Sequence, residues 1–140
     1  MASLRLHHMG FVVADIATAM PAFVRSMAAE WDGQIIEDPL QKVKVAFLTT
    51  RPGDAQIELV QPVGENSPVA RFLQQGGGMH HLCYEVADLE AELAAFRARS
   101  AAIASRPKPA VAFGGRRIAW VITSEKFLVE LLEVGKRLSS

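Results

Sequence analysis

Four histidines are all that the chain contains, and they come as two neighbouring pairs, His7-His8 and His80-His81. The pairs sit in one repeated phrase. Residues 6–23 read LHHMGFVVADIATAMPAF and residues 79–96 read MHHLCYEVADLEAELAAF, at an offset of 73. A second echo follows at an offset of 72: Gln56-Ile57-Glu58-Leu59-Val60 and Leu128-Val129-Glu130-Leu131-Leu132. Each places one carboxylate between aliphatic residues, where burial is costly unless the charge is paired or bound to metal. One His and one Glu from each copy would make a two-nitrogen, two-oxygen site for a divalent cation. That donor set suits Co, Ni, Mn, Fe or Zn, with water or substrate in the remaining positions.

Those residues need elements to aim them. Read as strands, residues 6–13 and 79–86 send alternate side chains to opposite faces. His80, Leu82, Tyr84 and Val86 form a mainly apolar face suited to a helix layer; His81, Cys83 and Glu85 form the other. In the first copy His8, Gly10 and Val12 share the equivalent face. Alternation therefore selects His8 and His81 as the candidate ligands, and leaves His7 and His80 leaning toward the helices.

After each opening strand an Asp, Asp15 or Asp88, is placed to cap an Ala-rich amphipathic helix, over about 16–29 and 89–100. Three strand-like runs follow each helix: Gln34–Glu37, Val43–Thr50 and Gln56–Gln61, then Ala102–Ser105, Arg117–Thr123 and Phe127–Val134. Arg51-Pro52-Gly53-Asp54 and Gly114-Gly115 are turn signals. The expectation is an α+β fold of two tandem βαβββ modules, over 4–63 and 79–135. Pro21 fits best if the first helix begins late, with Thr18 as its cap. The seam over 64–78 reads as a short helix in VARFLQQ followed by a flexible joint, Gly76-Gly77-Gly78. A phosphate cradle there would want a helix start after it, and none follows.

Composition narrows the partners. The chain has 140 residues, 50% of them hydrophobic, which fits one domain with an ordinary core. Lys+Arg and Asp+Glu both count 15, with basic residues scattered, so neither nucleic acid nor a membrane surface is expected as a partner. A single cysteine, Cys83, excludes an internal disulfide and a cysteine-cluster zinc site. MASLRLHHMG lacks the apolar core of a signal peptide and no stretch approaches a membrane span, so a cytoplasmic location is expected.

The segments Ile57–Pro62, Ser67–Leu73 and Gly78–Val86, with His8–Val13 at the start and Leu128–Leu131 at the end, resemble the vicinal oxygen chelate superfamily (glyoxalase/bleomycin resistance/dioxygenase). Within it they are most similar to the methylmalonyl-CoA epimerases. The resemblance implies that the two modules form a curved mixed sheet around a central metal-binding cleft, with metal ligands at His8, Glu58, His81 and Glu130, Glu58 taking the place of a Gln or Glu. It implies a homodimer and a small carbonyl or acyl-thioester substrate, activated by the metal as a Lewis acid, with Glu130 as ligand and as one base.

Two departures stand out. The position of a second acid/base Glu is held by Leu40, which cannot donate a proton, with Glu37 and Asp38 near but out of register. Ile122–Phe127 is shorter than the family's His-Pro-Lys segment and glycine-rich turn before the last strand. Arg116 and Arg117 are solvated charges or anchors for a substrate carboxylate or phosphate. Trp120 and Phe47 line the cavity or fill the core; Cys83 reads as a small buried hydrophobe, and Glu85 as a further proton-transfer candidate. Alternative functions are a glyoxalase I-like lyase and an Fe(II) oxygenase using His8, His81 and Glu130 with Glu58 idle. Outside enzymes, a non-catalytic small-molecule-binding protein of the resistance type is the alternative.

Overall fold

Asp15 and Asp88 do what the sequence asks of them. In a computed structural model describing residues 4–135, each has extended backbone and accepts a hydrogen bond from an N–H three residues on, Thr18 at 2.9 Å and Ala91 at 3.0 Å. Each satisfies a donor that the first helical turn leaves without a partner. The helices are α1 (Ile16–Ser26) and α3 (Leu89–Ala98). They end earlier than expected, just before Ala28 (φ 49°) and Ser100 (φ 70°), where the backbone enters the left-handed region. The described residues form two compact units, residues 7–81 and residues 4–6 with 82–135.

In the first unit, β1 (Arg5–Val12) pairs in parallel with β5 (Gln56–Pro62), and β5 pairs antiparallel with β4 (Val43–Thr49). β4 also carries two short strands, β2 (Glu30–Trp31) and β3 (Ile36–Asp38). The run expected over 34–37 thus begins later, because Asp32 accepts from the Gln34 N–H and Gly33, at φ 84°, turns the chain first. Ile16, Met20, Phe23 and Val24 give α1 an apolar stripe, packed on Ala46, Leu48, Ile57 and Leu59. Pro21 lies inside α1 rather than in a first turn capped by Thr18; its exposed position lets the ring sit on the solvent side, at the cost of one intrahelical bond. α2 (Ala70–Gln74) is the short helix expected in the seam. All three glycines that follow have positive φ, and a side chain at Gly77 would meet the Val12 carbonyl oxygen at 2.8 Å. The expected joint is a defined left-handed turn.

The second unit repeats the plan. β6 (Gly78–Val86), counted from Leu82, pairs in parallel with β9 (Leu128–Glu133). Antiparallel β8 (Arg117–Ile122) and β7 (Ala102–Pro109) follow. β7 runs four residues past its expected end. It closes the order β6-β9-β8-β7, and an edge strand tolerates Pro107 and Pro109, with register shifts around Ser105. Leu89, Leu93 and Phe96 of α3 pack on Ala119, Val121, Val129 and Leu131. These are the places held by Ile16, Met20, Phe23, Ala46, Leu48, Ile57 and Leu59 in the first unit. The fold is α+β with the βαβββ order written twice, β2 being an addition to the first copy. Among the described residues no helix is long and apolar enough to cross a membrane.

Candidate metal centre

Three of the four expected ligands lie in the unit of residues 7–81, and all three are buried. His8 is 0% exposed, Glu58 5% and His81 4%. Alternation along β1 turns His8, Gly10 and Val12 inward, and the parallel register sets Gly10 opposite Glu58 on β5. His81 enters from the start of β6. Nε2 of His8 and Nε2 of His81 are 3.1 Å apart, and Oε1 of Glu58 is 3.3 Å from each. Burial alone would raise the Glu58 carboxyl, but the charges and hydrogen bonds of His8 and His81 overcome it and hold the group well below the usual carboxylate range. Glu58 therefore stays ionised.

The first histidine of each pair takes part too. Nδ1 of His7 is 2.8 Å from Nδ1 of His8, and Nδ1 of His80 is 2.8 Å from Nδ1 of His81. The expectation that His7 and His80 lean toward the helix layer left out this contact. By alternation His7 shares its face of β1 with Met9, Phe11 and Val13, which pack with α1, while both rings turn edge-on to their neighbours, 5.1 Å between centroids. His80 also meets the Phe72 ring of α2 at 4.8 Å. Burial, reinforced by His81 and opposed by Glu58, lowers the His80 pKa to about 4, so its ring is neutral near pH 7. A neutral ring can accept the Nδ1 proton of its neighbour, which leaves the other nitrogen, Nε2, facing the cluster, where its lone pair holds either a proton shared with Glu58 or a cation. The doubled His-His spelling was the signal for this. Phe47, paired with Glu58 across β4 and β5, stacks edge-to-face on His8 at 5.6 Å and so lines the cluster.

Glu130 belongs to the other unit. It is 3% exposed on β9, paired with Cys83 of β6 and Trp120 of β8. The pair Trp120–Glu130 repeats Phe47–Glu58 at offsets of 73 and 72, a correspondence the sequence contains and alternation does not reveal. Cys83 is buried among Ala110, Ile118 and Leu132, as expected of a small hydrophobe. The two arginines are already held. Arg116 donates to Glu85 at 2.7 Å, and Arg117 donates to Glu90 at 2.7 Å and Glu133 at 2.8 Å. Their charges and that of Glu85 are engaged within the unit. Leu40 is 62% exposed, in a turn whose N–H groups at Leu40 and Gln41 are accepted by buried Asp38. Asp38 is thus committed to the turn, and Glu37 is exposed on β3.

The sequence profile of the Glyoxalase/Bleomycin resistance protein/Dioxygenase superfamily matches residues 7–120. The chain belongs to that superfamily. This glyoxalase-superfamily chain is 32% identical over 134 residues to the ethylmalonyl-CoA/methylmalonyl-CoA epimerase of Cereibacter sphaeroides, covering 93% of the chain and 98% of that protein. Methylmalonyl-CoA epimerase from Mycobacterium tuberculosis superposes with a TM-score of 0.81 at 26% identity, over 94% of this chain and 89% of the other. A variant of the Streptomyces coelicolor methylmalonyl-CoA epimerase, solved in complex with 2-nitronate-propionyl-CoA, superposes with a TM-score of 0.79 at 25% identity, over 96% and 100%.

The donors fit a cation. Two imidazole nitrogens and an ionised carboxylate suit a borderline divalent metal better than a hard, all-oxygen ion. Bonds of about 2.0–2.2 Å place neighbouring donors about 3.0–3.5 Å apart, and the observed separations are 3.1 and 3.3 Å. Three lone-pair atoms this close repel unless a cation or a proton lies among them.

Proposed function

We propose that the chain is a divalent-metal-dependent epimerase that moves a proton at the carbon beside a thioester carbonyl, on a methylmalonyl-CoA-like substrate. One observation carries the reading: the buried triangle of His8, His81 and Glu58 donor atoms. The names of the full-length relative and of the Mycobacterium tuberculosis and Streptomyces coelicolor structural neighbours support the substrate class. Glu130 is the proposed fourth ligand and a base, because it occupies in the second copy the place of Glu58 in the first. A bound Co, Mn, Ni, Zn or Fe ion would supply Lewis acidity at the carbonyl oxygen, stabilising the negative charge that develops as the α-proton leaves. His8 and His81 hold their Nε2 atoms toward it, Glu58 lowers its net charge, and Phe47 keeps water from the His8 side. Trp120 is the matching wall residue at Glu130. The reading also carries a cytoplasmic setting, and a homodimer that light scattering of the purified protein checks.

Leu40 favours a second reading. A two-base inversion needs a donor on each face of the carbon, and Leu40 has no proton to give. A glyoxalase I-like isomerisation on the same ligand set can proceed with a single base.

The test begins with metal analysis of the purified protein and a Co titration. The reading requires one divalent ion per chain; a protein that is metal-free and ignores added Co and Mn sinks it. Methylmalonyl-CoA is then incubated with loaded protein in deuterium oxide. Deuterium at the α-carbon is expected, and no exchange with metal in place moves the assignment to the one-base reading.

A further inference from the structure

Eight of the ten glycines have positive φ, where the backbone itself asks for glycine. Gly10 does not. It sits mid-strand in β1, where a glycine weakens the strand and often marks a close approach by another group. The group here is the His81 imidazole. A Cβ at position 10 would overlap the face of that ring at its Cε1 edge, 2.5 Å from both Nδ1 and Nε2 and closer still to Cε1. Gly10 is also opposite Glu58 in the β1–β5 register, and two residues from His8 on the same face. The three donors converge over the one position in the strand with no side chain.

We infer that Gly10 is a positioning residue for the metal site: its missing side chain is the seat in which the His81 ring lies with Nε2 toward Glu58 and His8. The inference rests on the metal-site reading of that cluster, and its physical core does not need a metal. A methyl group at position 10 and the His81 ring cannot share the space. The backbone of β1 is fixed by pairing with β5, whereas the His81 side chain turns about its own bonds. Gly10→Ala therefore displaces the ring and takes Nε2 away from the cluster, while the strand remains.

Two measurements test this together. In a Co titration followed by visible absorption, G10A is expected to bind at least about tenfold more weakly than wild type, as when a group orienting a ligand is lost. Thermal unfolding of the metal-free protein then compares G10A in the wild-type and His81→Ala backgrounds. With the ring present, the substitution is expected to lower Tm. With the ring removed the clash is gone, and replacing glycine within a strand should leave Tm unchanged or raise it. Wild-type Co affinity in G10A overturns the inference, and so does an equal loss of Tm in both backgrounds. If wild type itself ignores Co, the metal reading fails, and the change of sign between backgrounds still decides the role of Gly10.

Discussion

Glu58 keeps its charge where burial alone would remove it, because two imidazoles face it at 3.3 Å. Its oxygen and its charge are separable. Glu58→Gln keeps an oxygen donor, so Co binding should weaken by about 10–100-fold rather than vanish. His81→Ala removes a donor outright and should abolish stoichiometric metal; isothermal titration on both variants checks the order. Unchanged metal in H81A would contradict the assignment of that ring. At Leu40 the expectation runs the other way. Leu40→Glu restores a carboxylate at an exposed turn without touching the buried donors, so deuterium exchange on methylmalonyl-CoA should rise while metal content holds. An unaltered rate in L40E would separate position 40 from the reaction. His8, His81 and Glu58 were legible because period-two alternation and a lone charge among aliphatics are local patterns. The Nδ1 contacts of His7 and His80 were not, because they depend on ring orientation, which alternation does not give.

Within the elements, the capping signals were legible and the ends were not. Hydrogen bonds from the Thr18 hydroxyl and N–H hold the Asp15 carboxyl below its ordinary value of 3.8. A carboxyl with a lowered native pKa stabilises the fold fully above its unfolded value. That contribution is lost as pH falls through the native one. Asp15→Ala should therefore lower Tm equally at pH 7 and pH 5. The deficit should shrink once pH passes below about 3.8; a pH-independent deficit would assign the effect to something other than the ionised cap. Pro21, the residue that argued for a late helix start, sits within α1 and removes one hydrogen bond. Pro21→Ala should raise stability in urea by up to ~3 kcal/mol. Packing of the α1 stripe on β4 and β5 outweighs this local preference, so the helix begins at Ile16 under the Asp15 cap and not at the later start that Pro21 suggested. The run expected over Ala102–Ser105 stops short of Pro107 and Pro109, which β7 takes in because it is an edge strand.

At the scale of the whole chain, duplication was the most legible feature, since it preserves core and site positions together. Leu59 and Leu131 are equivalent and both fully buried, and truncating either to Ala should cost about 2–5 kcal/mol. A cost confined to one copy would show that the other contributes little to the cooperative fold. The reaction was less legible than the fold. On the proposed reading it turns on single positions such as Leu40, where a carboxylate would add a second base and leave every strand in place.

The parallel pairing of β1 with β5 has a kinetic consequence. His8 and Glu58 are 50 residues apart, and they meet only when the closing strand of their module docks beside its opening strand. Contacts between such distant segments are costly to close, and they slow folding. The donor cluster should thus assemble late, from parts that the unfolded chain keeps far apart. A metal ion has nothing to grip before that docking and much to hold after it. Added Co should leave the refolding rate almost untouched and slow unfolding instead, so the ion would act as a lock on a finished structure rather than a template for building it.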